Sequence, residues 1–232
     1  MATTEKDGAD NPVEALTSYR KEAYSHGSPA EGGGIKPVLN FYNTWADKYD
    51  KVCLEGGYQC DVHMAAMASE IIHDKSARIL DAAAGTGLVG KELKKLGFTC
   101  IDALDPSKDI LDKCKEHQSH MEYICDTLDE HRLDIPDNHY DAVLMAGAFG
   151  LPGHVDESCF PELIRITKPG GHIMYTLTEK VFEQVESRME AAIKALAQEG
   201  RWEFVEYRWL QYFLNEELNE KAKVPILRVL PK

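Results

Sequence analysis

A chain of 232 residues with a net charge of −13, from 26 basic and 39 acidic side chains, suits one α/β domain and argues against nucleic-acid binding, which leans on Lys and Arg against phosphate. Its hydrophobic content of 44% and charged content of 28% are ordinary for a globular protein, and no apolar run approaches the roughly 18 residues of a membrane span. Six cysteines (53, 60, 100, 114, 125 and 159) form no C-x-x-C pair, and the first ten residues hold acids without an apolar core, so reduced thiols and a cytoplasmic location are expected.

Residues 1–36 read as a flexible lead-in, and residues 37–232 as a single domain. Asn11-Pro12 can start a short helix with proline in its first turn, but Gly27, Ser28, Pro29 and the run Gly32, Gly33, Gly34 look like a linker. A helical lid is expected over about residues 38–74. Phe41, Trp45 and Tyr49 fall at i, i+4 and i+8, one aromatic stripe. That stripe either docks on the core or closes over a ligand with Tyr49 or Trp45. A second helix, residues 58–74, turns Val62, Ala65, Ala66, Met67, Ile71 and Ile72 inward.

A buried parallel strand then ends at Asp81 and breaks into Ala82, Ala83, Ala84, Gly85, Thr86 and Gly87, before apolar residues from Leu88 resume at helical spacing. A loop with so little side chain lets a ligand approach its main chain, and the helix N-terminus beside it favours a polar group. Gly85, Gly87 and Gly90 satisfy the dinucleotide pattern G-x-G-x-x-G. From Asp81 the same stretch reads D-x-A-x-G-T-G, with Ala83 resisting a positive φ where the first glycine would stand. The loop by itself leaves both cofactor types open.

Residues 98–105 form a second strand ending at Asp105, 24 positions after Asp81. A carboxylate there suits the two hydroxyls of a ribose, although Asp105-Pro106-Ser107 also suits a helix N-cap. Residues 121–127 give a shorter strand that ends in Asp126 and Thr127. Residues 140–146 are a fourth strand, followed by a glycine-broken loop from Gly147 to His154 at the end where doubly wound sheets place ligands. Lys168, Pro169, Gly170 and Gly171 turn the chain into a fifth strand. An amphipathic helix over 181–199 and strands over 202–210 and 223–230 complete the chain, with residues 211–214 either filling the sheet edge or bordering a pocket. Cys114, His117 and His120 resemble a metal cluster only faintly and are read as a solvated helix end, so no metal is expected.

An acid-ended strand, a glycine loop, two further strand-end acids and a K-P-G-G turn, in this order, resemble the class I S-adenosylmethionine-dependent methyltransferases. The pattern Y-x-x-W-A-x-x-Y-D from Tyr42 to Asp50 is similar to the small methyltransferase-like proteins of the Williams–Beuren type. The resemblance covers residues 40–232. It implies a Rossmann-like α/β fold: a seven-stranded, mostly parallel sheet, helices on both faces, the last strand antiparallel. It also implies S-adenosylmethionine held by Tyr49, Asp81, Ala83, Gly85, Gly87, Asp105, Pro106, Asp126, Thr127 and Ala146, with Pro106 against the adenine and Asp126 at its amine. His154 is then the candidate base, followed by Tyr42, Tyr49 and His63. The implied reaction is methyl transfer to N, O or S of a small molecule; the alternatives are a nicotinamide-dependent oxidoreductase and a binding module without chemistry.

Overall fold

The computed structural model describes residues 11–231. Four helices come first: α1 (Pro12–Gly27), α2 (Ile35–Trp45), α3 (Tyr49–Glu55) and α4 (Cys60–Ile71). Strands and helices then alternate as β1 (Arg78–Ala82), α5 (Leu88–Lys95), β2 (Cys100–Leu104), α6 (Lys108–Glu116), β3 (Tyr123–Ile124), β4 (Tyr140–Met145), α7 (Phe160–Ile166) and β5 (Thr167–Tyr175). The chain closes with β6 (Leu177–Thr178), α8 (Glu179–Gln198), β7 (Trp202–Leu214) and β8 (Asn219–Val229). No helix among the described residues is long and apolar enough to cross a membrane.

The sheet runs β3-β2-β1-β4-β5-β8, with β7 on the outer side of β8. From β3 to β5 all pairings are parallel, and β8 lies antiparallel to both β5 and β7. The two-residue β6 meets β8 at Lys223 and Ala222, extending the edge that β5 already occupies. It is the one strand beyond the seven expected, and the last strand is antiparallel as expected.

Central strands read as continuous apolar runs because both sheet faces are covered. Val143, Met145, Ile173 and Tyr175 enter a core packed by α7 and α8. Their neighbours Leu144 and Met174, with Ile79 and Ile101, enter a second core under α1, α4 and α5. Parallel strands bring every strand-to-helix loop to the carboxyl end of the sheet, where ligands bind.

Several expectations change. The lead-in is not flexible over Pro12–Gly27: this segment is a helix that Asn11 caps by accepting from the Val13 N–H at 2.9 Å. It buries Leu16, Tyr19 and Ala23 in the second core. With Gly27 these make four buried residues in a 16-residue helix, a stripe too thin to stand out in composition. Gly27 packs so closely on the Pro152 carbonyl that any side chain would overlap it. Residues 1–10 of the lead-in lie outside the described residues.

The aromatic segment is two helices, not one, because the chain turns over residues 46–48 before Tyr49 opens α3. In α4, Val62 and Ala66 face solvent, and the buried stripe is Met64, Ala65, Met67 and Ala68. β3 shrinks to two residues, since an edge strand has a partner on one side only. Residues 211–214 belong to β7.

Candidate active site

The loop after β1 is braced from behind. Asp81 is buried, and its Oδ2 accepts from the Gly90 N–H at 3.1 Å and faces His120 Nε2 at 3.1 Å. Gly87 caps α5 at φ 84°, and a Cβ there would overlap Cys114 Sγ. Both residues build the loop, and neither lines the cavity in front of it. Ala83 does adopt a positive φ, 51°, held as its neighbour Ala84 donates its N–H to the Leu104 carbonyl at 3.0 Å. A Cβ added to Gly85 would meet nothing within 4 Å, so the loop is open to a ligand there.

Asp105 faces the same space from the end of β2. Its Oδ2 accepts from the Gly85 N–H at 3.0 Å and its Oδ1 from the Ser107 N–H at 2.9 Å. Burial pushes its carboxyl up to about 6, against the pull of the Ser107 and Gly85 N–H groups and with a further push from Asp81. Ser107 caps α6 and donates its hydroxyl to Asn43 Oδ1 at 2.6 Å, tying α2 to the start of α6. The N-cap reading therefore belongs to Ser107, which leaves the Asp105 carboxylate facing the cavity.

This cavity holds about 400 Å³. Of the expected site residues, Tyr49, Ala83, Gly85, Asp105, Pro106, Thr127, Ala146 and His154 line it. Asp81, Gly87 and Asp126 do not. The Asp126 carboxylate turns back to accept the Thr127 N–H at 2.8 Å and to face His131 Nε2 at 3.3 Å. Sequence reasoning missed Leu128 and Asp129, which do line the space, beside the Gly147 that opens the expected loop. A register shift of a few residues along an irregular loop leaves no periodic signal to find them by.

The lid covers the opening with Ile35, Val38 and Tyr42 of α2 and Tyr49 of α3. Asp50, the final residue of the aromatic motif, latches it down by accepting from the Thr86 hydroxyl and facing His117 Nε2 at 3.2 Å. Cys114 lies 3.4 Å from His120 Nδ1 and both are buried rather than solvated, so His117 alone of the three turns away, to Asp50. Among the described residues no cluster of His, Cys, Asp or Glu could hold a metal ion.

His154 stands where the lid meets the loop after β4. Its Nδ1 lies 2.8 Å from the Pro152 carbonyl, which can only accept, so Nδ1 carries the proton. The lone pair of Nε2 then accepts from the Tyr42 hydroxyl at 3.0 Å, and the Tyr19 hydroxyl donates to Tyr42 at 3.4 Å. Burial lowers the His154 pKa below its ordinary value and raises that of Tyr42 to about 12, so both are neutral near pH 7. His63 is exposed on α4 and lines neither cavity.

A second chamber of about 640 Å³ adjoins the first and shares Tyr42, Tyr49, Gly147 and His154 with it. Its walls include Tyr24 of α1, Tyr58, Phe149 and Tyr212.

A doubly wound sheet with a bare loop after its first strand and a carboxylate after its second defines a nucleoside-cofactor enzyme of Rossmann-like build. Residues 79–171 match a family described as a methyltransferase domain. Methyltransferase-like protein 27 of Homo sapiens is 32% identical over 182 residues, which span 77% of this chain and 72% of that protein. A TehB-like S-adenosylmethionine-dependent methyltransferase from Corynebacterium glutamicum superposes with a TM-score of 0.56 at 15% identity, over 80% of this chain and 97% of that one. The [4+2]-cyclase SpnF gives 0.64 at 15% identity, over 86% and 97%, a likeness of fold alone. The chain belongs to the class I S-adenosylmethionine-dependent methyltransferases, and S-adenosylmethionine is its cofactor. The nicotinamide reading of the glycine loop is thereby set aside.

Proposed function

We propose that this enzyme methylates N, O or S of a small molecule, with the cofactor in the 400 Å³ cavity and the acceptor in the 640 Å³ chamber. The observation that carries this reading is the junction: the two spaces meet at Gly147 and His154, beneath Tyr42 and Tyr49. A concave chamber of this size, open at a rim that includes Lys21 and Lys180, suits a small molecule.

The residues present fit the cofactor. Asp105 offers a carboxylate to two ribose hydroxyls, Gly85 leaves room for the main chain to be approached, and Pro106 and Leu128 offer apolar walls to an adenine. Bound there, S-adenosylmethionine supplies a methyl group on a sulfonium, already activated for in-line displacement. The protein's part is to align the acceptor, exclude water under the lid and receive a proton where the acceptor carries one. The Tyr42 hydroxyl donates to Nε2 of His154. An acceptor X–H taking that place would deliver its proton to Nε2, while Nδ1 stays anchored on the Pro152 carbonyl.

The test is His154→Gln. As a general base, His154 must be neutral, and burial keeps it so to below its ordinary pKa near 6.5, with activity falling as pH drops through the lowered value. The substitution should lower kcat by about 100-fold or more and remove that acidic limb, with cofactor affinity unchanged. A pH–rate profile that keeps its limb in His154→Gln assigns the base elsewhere. Binding without any consumption of cofactor in the wild type, across a metabolite extract, would support a binding module instead.

A further inference from the structure

We infer that the acceptor is a flat, unsaturated acid whose carboxylate binds Arg20 while its reacting atom lies at Gly147. This deepens the methyltransferase reading above and rests on it.

At the junction the chamber is walled by rings. A Cβ on Gly147 would come within 2.8 Å of the Tyr212 hydroxyl oxygen and 3.5 Å of that of Tyr58. The Tyr212 hydroxyl therefore takes the place that a side chain at residue 147 would fill, and the phenol groups of Tyr212 and Tyr58 wall the junction beside the bare Gly147 backbone. Such walls favour a planar body, which stacks or meets ring edges over its whole area.

Contacts lead outward from there through Tyr212 to Phe213, whose ring centroids are 5.2 Å apart, and then to Arg20, whose guanidinium carbon sits 5.1 Å from the Phe213 centroid. Arg20 Nη2 also lies 2.8 Å from Glu220. A guanidinium braced by a ring on its face and an acid at one nitrogen has lost little freedom still to lose, and no other described residue bonds its remaining N–H groups. That fork matches a carboxylate in two parallel hydrogen bonds.

The surrounding charge agrees. Arg20, Lys21 and Lys180 line the chamber, with Glu220 as its one acid, in a chain whose net charge is −13. Lys21 and Lys180 are exposed and make no ion pair among the described residues. With Glu220 paired to Arg20, a cationic acceptor would meet the two unpaired lysines and no free acid, and a neutral one would leave the remaining N–H groups of Arg20 unmatched.

The experiment uses the full chain saturated with S-adenosylhomocysteine, titrated calorimetrically with 4-hydroxycinnamate, its amide, tyramine and phenyl phosphate. The acid should bind about 10-fold or more tighter than the amide, the effect of one charge-assisted bond, with tyramine weakest. Arg20→Gln should cut the acid-over-amide preference to about 3-fold or less, and Lys180→Gln, at the exposed rim, should cut it less. Equal binding of acid and amide by the wild type, no binding of the acid at millimolar concentration, or an undiminished preference in Arg20→Gln overturns the inference. Tighter binding of phenyl phosphate than of the acid overturns the carboxylate assignment. Since the wild-type comparison needs no variant, a misfolded Arg20→Gln would not spare it. The preceding titration with S-adenosylhomocysteine separately tests the cofactor site, so its failure would fall on the methyltransferase reading instead.

Discussion

Asp105 lines the cavity proposed for the cofactor, with its carboxyl pushed up to about 6 by burial, and this has a measurable consequence. Ribose hydroxyls donate, so only the ionised form can accept from both. Cofactor affinity should be flat above about pH 6 and fall by up to about 10-fold per pH unit below it. Asp105→Asn should weaken binding by roughly 10- to 100-fold at pH 7.5 and flatten the pH dependence, as calorimetric titration from pH 5 to 8 would read. Ala83 gives a second test at this scale. Its φ of 51° costs an L-residue about 1–2 kcal/mol, while glycine there would add about 0.4–1 kcal/mol of unfolded-state freedom. Ala83→Gly should thus be neutral to stabilising, by up to about 1.6 kcal/mol in a urea melt, and Ala83→Val should destabilise the protein. The strain was legible beforehand, because the motif wants glycine where this chain has alanine. The fate of Asp126 was not: a strand-end acid is visible in sequence, but its partner His131 is chosen by how the loop folds.

Helix α1 is the element that sequence reading mistook most. Its inward stripe of Leu16, Tyr19 and Ala23 packs on the second core, and Tyr19, Arg20 and Tyr24 wall the larger chamber. Leu16 is 1% exposed, so Leu16→Ala should cost about 2–5 kcal/mol in a denaturant melt, whereas a flexible lead-in would tolerate the change. The lid was legible as aromatic helix but not as a latch. Asp50 reaches Thr86 across 36 residues and His117 across 67, and no local pattern announces either contact. By contrast, α8 followed its apolar spacing closely, with Phe182, Val185, Met189 and Ile193 buried, because a long amphipathic period needs only the helix itself to express it.

For the whole molecule, ligand binding and folding are linked. S-adenosylmethionine and S-adenosylhomocysteine at about 100 times their Kd should add about 2.7 kcal/mol to stability, a rise of roughly 5–11 °C in Tm for a chain of this size. NAD at the same concentration should leave Tm unchanged, and a shift with NAD would count against the cofactor assignment. Sequence alone determined the strand-and-helix alternation from β1 onward, the cofactor loop and the Asp105 strand end. Each of these is set by neighbours a few residues apart: apolar runs, helical spacing, glycines in a tight turn. Only the tertiary structure decided that Asp105 and not Asp81 faces the cavity, that α1 joins the fold, and that Tyr42 meets His154 across 112 residues to seat a histidine between two chambers. Such contacts arise when distant segments pack on one end of one sheet, and pairing over that distance leaves no period in the chain.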